Sequence, residues 1–205
     1  MLGFYNYTVF LTYFGMLISF VGITFVMNGE MRPALICLMI SGICDMIDGK
    51  IASTKTRTVR EKRFGIQIDS LSDLICFGGL PAVLVYKISG KSTIGIFAAA
   101  FYLLCALIRL AYFNVDEEER QNQTEESRKV YLGLPVTTVV LILPLLVSVG
   151  SRFAWPVGMI GPVLLIGIGI AFITPFQIKK PGLEGKIGLL ILGVAEFVLL
   201  TMYSV

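Results

Sequence analysis

The sequence predicts an all-α polytopic membrane protein, a bundle of helices that cross a bilayer. Three observations carry this. Of the 205 residues, 56% are hydrophobic and 15% charged, where a soluble domain carries about 25% charged residues. The mean hydropathy is +0.82. Seven apolar runs reach or approach the roughly 20 residues that a helix needs to cross the hydrocarbon layer. Seven such runs are too many to share one soluble core.

The first run, residues 5–27, follows an uncharged MLGFYN start and lacks a small-residue cleavage pattern. It is long enough to span, so it is expected to be the first membrane helix and not a removed address. The second, 33–47, is short and carries Asp45, with Asp48 and Gly49 just beyond it. The third, 64–86, carries Asp69 and Asp73. The fourth, 93–112, holds Arg109 three residues before Tyr112. The polar stretch NVDEEERQNQTEESRK follows, read as a solvated loop or helical extension with no catalytic part. Runs 132–149, 157–173 and 187–203 complete the chain. No internal repeat or second soluble unit stands out, so residues 1–205 are expected to form one membrane domain, with the catalytic motif at 45–73.

The four cysteines all lie in apolar runs without C-x-x-C spacing and read as small hydrophobes. There is no histidine. That excludes the common His-containing zinc sites and a histidine general base, leaving proton chemistry to carboxylates, lysines or tyrosines.

The loops after the second, fourth and sixth runs hold Lys55, Arg57, Arg60, Lys62, Arg63, Arg120, Arg128, Lys129, Lys179, Lys180 and Lys186. The opposite loops hold only Arg32, Lys87, Lys91 and Arg152. Excess Lys and Arg marks the cytoplasmic side. The N-terminus and the four aspartates are therefore expected at the cytoplasmic face of the cell membrane.

An ionised carboxylate at the centre of a membrane helix costs about 2.5–3.5 kcal/mol, less near an interface. Four together also repel one another, so a cation must offset both effects. Asp45 and Asp48 are spaced i, i+3, and Asp69 and Asp73 i, i+4, so each pair shares one helix face. A salt-bridged helix end using Lys55, Arg57, Arg60, Lys62 and Arg63 is one reading. The other is a site for hard divalent cations such as Mg²⁺, Mn²⁺ or Ca²⁺, which prefer all-oxygen ligands. Two such ions balance four carboxylates, and paired ions are a known device for phosphoryl transfer. Gly49 and Gly65 beside the aspartates would let a ligand approach the backbone, though glycine also serves helix packing in membranes. The basic loop at 55–63 would attract an anionic substrate or lipid headgroups. A cation path through the membrane stays open as an alternative from the charges alone.

The pattern D-x-x-D-G-x-x-A followed by G-x-x-x-D-x-x-x-D, here Asp45, Asp48, Gly49, Ala52, Gly65, Asp69 and Asp73, resembles the signature of the CDP-alcohol phosphatidyltransferases. Within that family, IDSLSDLICFGGLPA, RLAYFNV and YLGLPVT resemble the phosphatidylserine synthases. The resemblance implies a six-helix catalytic core with the seventh run as an addition, in a homodimer. It implies transfer of a phosphatidyl group from CDP-diacylglycerol to the hydroxyl of L-serine with release of CMP, and two divalent ions, Mn²⁺ or Mg²⁺. A glycerol-phosphate or inositol-phosphate acceptor is the alternative within the family. Membrane lipid is an expected partner and nucleic acid is not.

The resemblance also assigns roles. Asp45, Asp48, Asp69 and Asp73 would hold metal, and Asp73 would also act as base on the serine hydroxyl. Asp48, Gly49, Ala52, Ser53 and Gly65 would line the nucleotide pocket. Ser53 stands where the family pattern has Arg, and the loop to Gly65 is a few residues longer, so Lys55 or Arg57 is expected to supply that charge. Arg109 is expected either to snorkel to the interface or to hold a substrate phosphate or the serine carboxylate through its planar fork.

Overall fold

A computed structural model describes residues 3–123, 130–179 and 182–202. The order is α1 (Tyr7–Asn28), α2 (Met31–Ala52), α3 (Val59–Asp73), a π-helical turn (Leu74–Gly79), α4 (Leu80–Ile88), α5 (Thr93–Gln123), β1 (Val130–Leu132), a 3-10 turn (Val136–Thr138), α6 (Val139–Arg152), α7 (Val157–Ile173), β2 (Gln177–Lys179) and α8 (Leu183–Met202). The seven expected runs are all helical, the third as the continuous rod α3–π turn–α4. Arg128, Lys129, Lys180 and Tyr203 lie outside the described residues.

Tyr7–Asn28, Val59–Ile88 and Thr93–Arg120 are long and apolar enough to cross a membrane, and shorter apolar helices accompany them. Their outer faces carry exposed Phe10, Phe14, Phe20, Phe97, Leu104 and Ile108, the surface that lipid solvates. The protein is a membrane helix bundle.

Asn6 caps α1 by accepting from Thr8 N at 3.1 Å. The helix ends at Gly29, whose φ of 88° permits the left-handed turn that bonds Glu30 N to Phe25 O at 2.9 Å. Its buried stripe is Thr8, Thr12, Gly15, Ser19, Gly22 and Val26. Small residues here let α1 lie close on α2: a Cβ on Gly22 would stand 2.9 Å from Cys37 Cβ, and one on Gly15 3.2 Å from Cys44 Cβ. The Ser19 and Ser41 hydroxyls bond across this contact at 2.7 Å.

The rod from α3 to α4 changes pitch right after Asp73. Pro81 has no N–H to give the Phe77 carbonyl four residues back. The fully buried Tyr102 of α5 donates its hydroxyl to that carbonyl instead. Tyr102→Phe would strand the carbonyl in an apolar interior, so we expect a loss of about 1–3 kcal/mol. Thermal unfolding in detergent should read this as a melting point several degrees lower. An unchanged melting point would mean that the carbonyl has another partner.

Gly133, at φ 72°, and Pro135 stop the fifth run from starting its helix at 132. The chain instead forms β1, paired antiparallel with β2 (Tyr131 opposite Ile178), and α6 begins only at Val139. Gly133 N bonds Phe176 O at 2.7 Å and Leu134 N bonds Ala171 O at 3.0 Å, which pins this segment to the end of α7. Helix α8 packs on α6 and α2, and Arg32 donates to the Thr201 carbonyl near its end.

Candidate active site

Helix α1 packs on both α2 and α3. Helix α2 meets the rod mainly at the π turn and α4, and has few close contacts with α3 itself. The two helices therefore diverge toward the ends joined by the 53–58 loop, and the cleft between them is lined by carboxylates. Across it Asp73 lies against Asp45, and Asp69 against Asp48. This is the register expected of two antiparallel helices with pairs at i+3 and i+4. Asp48 is buried and the other three are half-buried.

One carboxylate oxygen from each of Asp45, Asp48 and Asp69 lies within 4.8 Å of the others. Oxygens around a single Mg²⁺ or Ca²⁺ stand no farther apart than about twice a 2.0–2.6 Å bond. The donor set and its spacing fit such an ion, so these three residues could hold a divalent metal. Asp73 lines the same small cleft beside Asp45 and outside that closest trio.

The sequence reading missed the support that α1 provides. Thr12 Oγ1 donates to Asp48 Oδ2 at 2.8 Å, and Ser72 Oγ donates to Thr12 O at 3.2 Å. Thr12 thus orients one carboxylate and touches the helix carrying Asp69 and Asp73. The signal was present as a hydroxyl within the small-residue stripe of the first run.

The salt-bridged helix end does not form. Among the described residues the ion pairs are Lys55–Glu61, Arg63–Glu118 and Arg120–Glu117, and none uses the four aspartates. Gly49 has no atom within 4 Å of where a Cβ would lie. Ala52 ends α2, and Ser53 turns its hydroxyl back on Lys50 O at 2.7 Å. Lys55 binds Glu61 at 3.0 Å, whereas the Arg57 guanidinium comes within 3.1 Å of the Cβ position of Gly65.

Arg109 is 6% exposed and does not snorkel. Its Nε donates to Leu134 O at 3.3 Å, and its guanidinium carbon stands 6.0 Å from the Phe113 ring centre. The pinned 133–135 segment thus holds Arg109 inside the bundle.

Residues 5–173 match the family of CDP-alcohol phosphatidyltransferases. The chain belongs to this family. Its relatives include a CDP-diacylglycerol–serine O-phosphatidyltransferase of Methanocaldococcus jannaschii, 31% identical over 77% of this chain and 68% of the relative. The enzyme of the same name in Saccharomyces cerevisiae is 34% identical over 51% of this chain and 38% of its own length. An archaetidylserine synthase of Methanothermobacter thermautotrophicus is 30% identical over 61% of this chain and 50% of its own. The chain therefore spans about half or less of two of these three proteins. Helix α8 lies beyond the matched region.

Proposed function

We propose that this chain transfers a phosphatidyl group from a CDP-linked lipid to the hydroxyl of L-serine, giving phosphatidylserine or its ether-lipid counterpart. The observation that carries the reading is the facing pairs Asp45/Asp73 and Asp48/Asp69 beside the open backbone of Gly49. The names of the relatives support the choice of serine. A divalent ion held by Asp45, Asp48 and Asp69, with Asp73 completing a two-ion set, would neutralise the donor diphosphate and the charge that develops on it.

The chain's own residues do the rest. Gly49, Ala52 and Gly65 give the cytidine diphosphate close access to backbone, and Arg57 meets its charge. Asp73 takes the proton of the serine hydroxyl as that oxygen bonds to the lipid-bearing phosphorus. The bond from that phosphorus to the bridging oxygen breaks, and CMP leaves with the electron pair. Arg109 holds the serine carboxylate. The cleft opens on the cytoplasmic side, where soluble serine meets a donor anchored by its lipid chains, and the enzyme works as a homodimer that cross-linking in membranes would reveal.

The test is purified protein with CDP-diacylglycerol, Mn²⁺ and serine, glycerol 3-phosphate or inositol phosphate, with products read by mass. Phosphatidylserine is expected. A product from another alcohol in its place would sink the serine assignment.

A further inference from the structure

The loop between α2 and α3 is organised by one carboxylate outside the aspartate motif. Glu61 Oε1 accepts from Asn6 Nδ2 at 3.1 Å and from Lys55 Nζ at 3.0 Å. Its Oε2 accepts from Thr58 N at 2.9 Å and from Thr58 Oγ1 at 3.1 Å. Thr58 in turn caps α3 by accepting from Glu61 N at 3.2 Å. The N-cap of α1, the loop and the first turn of α3 thus converge on a side chain only 14% exposed. Bonds to a charged acceptor are the strong ones, so this hub sets the path of the loop.

Arg57 lies between the two loop residues that Glu61 grips. It is half-buried and, among the described residues, has no ion pair. Its Nη1 lies 3.1 Å from the Cβ position of Gly65. Glu61, Gly65, Asp69 and Asp73 follow one another at i+4 along α3, so the hub, the glycine and two site carboxylates share one row of the helix. The guanidinium stands one turn out from Asp69, at the mouth of the cleft.

We propose that Glu61 is a positioning residue for the donor: by holding Asn6, Lys55 and Thr58 it keeps the Arg57 guanidinium over Gly65, where it meets the diphosphate of the CDP-lipid. The inference rests on the donor reading above. It gives Lys55 a structural part, since its ammonium is engaged by Glu61, and leaves Arg57 as the loop's contact to the nucleotide.

A double-mutant cycle tests it, with CDP binding by titration calorimetry in detergent and Mn²⁺. Glu61→Ala and Arg57→Ala are each expected to weaken CDP by about tenfold, the effect of one charge-assisted bond. The double variant should bind no worse than Arg57→Ala alone, because Glu61 acts through Arg57. The KM for serine should stay at the parent value, a split that general loosening of the fold would not produce. Additive losses, or unchanged CDP affinity in Glu61→Ala, would overturn the proposal. Should Glu61→Ala fail to fold, Glu61→Gln enters the same cycle, keeping the size and losing the charge that holds Lys55. A parent with no metal-dependent CDP binding would overturn the donor reading and this proposal together. A parent that binds CDP but makes no phosphatidylserine sinks only the serine assignment, and an additive cycle in a parent that makes it sinks only the role of Glu61.

Discussion

Asp69→Asn is expected to lower turnover by at least about a hundredfold while leaving a folded membrane protein. The loss should exceed the 10–100-fold typical of groups that merely orient a metal ligand, because Asp69 offers one of the three clustered oxygens. Folding should survive for an electrostatic reason. Without metal the cleft holds four carboxylates with no basic partner among the described residues, and asparagine removes one of the repelling charges. The metal-free variant should therefore melt no lower than the metal-free parent. Added Mn²⁺ should raise the melting point of the parent and much less that of the variant, since a ligand stabilises only the state that binds it. A chelator should abolish parent activity, and Mn²⁺ or Mg²⁺ should restore it. Full turnover in metal-free buffer, or equal stabilisation of parent and variant by Mn²⁺, would sink the metal assignment.

Arg109→Lys is expected to weaken the use of serine by roughly tenfold or more with CDP affinity little changed. The guanidinium Nε donates to Leu134 O, and the planar fork of an arginine matches a carboxylate in two parallel hydrogen bonds. A lysine ammonium keeps the charge but loses the planar fork that bonds a carboxylate at two points. Both constants are to be measured in one preparation. An equal loss in serine use and CDP affinity would place Arg109 on the donor phosphates. No loss in either would make it a packing residue held by Leu134 and Phe113.

Much of this site could be read before any coordinates. The i+3 and i+4 spacings placed each aspartate pair on one face, while only the structure turns those two faces toward each other. Thr12 could not be found that way. Its hydroxyl reaches Asp48 across 36 residues of chain, and an isolated threonine in an apolar run has many uses. The different placements of Lys55 and Arg57 were equally hidden. Both are cations of one loop, and the structure pairs Lys55 with Glu61 while it sets the Arg57 guanidinium beside Gly65. The strand pairing of 130–132 with 177–179 joins segments that look like ordinary helix flanks in the sequence.

The sequence by itself determined the helical membrane class, the seven runs and the four carboxylates, because each depends on local composition and on the fixed 3.6-residue period of the helix. Only the tertiary structure decided which oxygens cluster, which cation reaches Gly65 and why Arg109 stays inside the bundle. Those outcomes depend on distances between segments far apart in the chain, set by how closely Gly15 and Gly22 let α1 approach α2 and by where Gly133 and Pro135 stop a helix. Local periodicity carries no such distances.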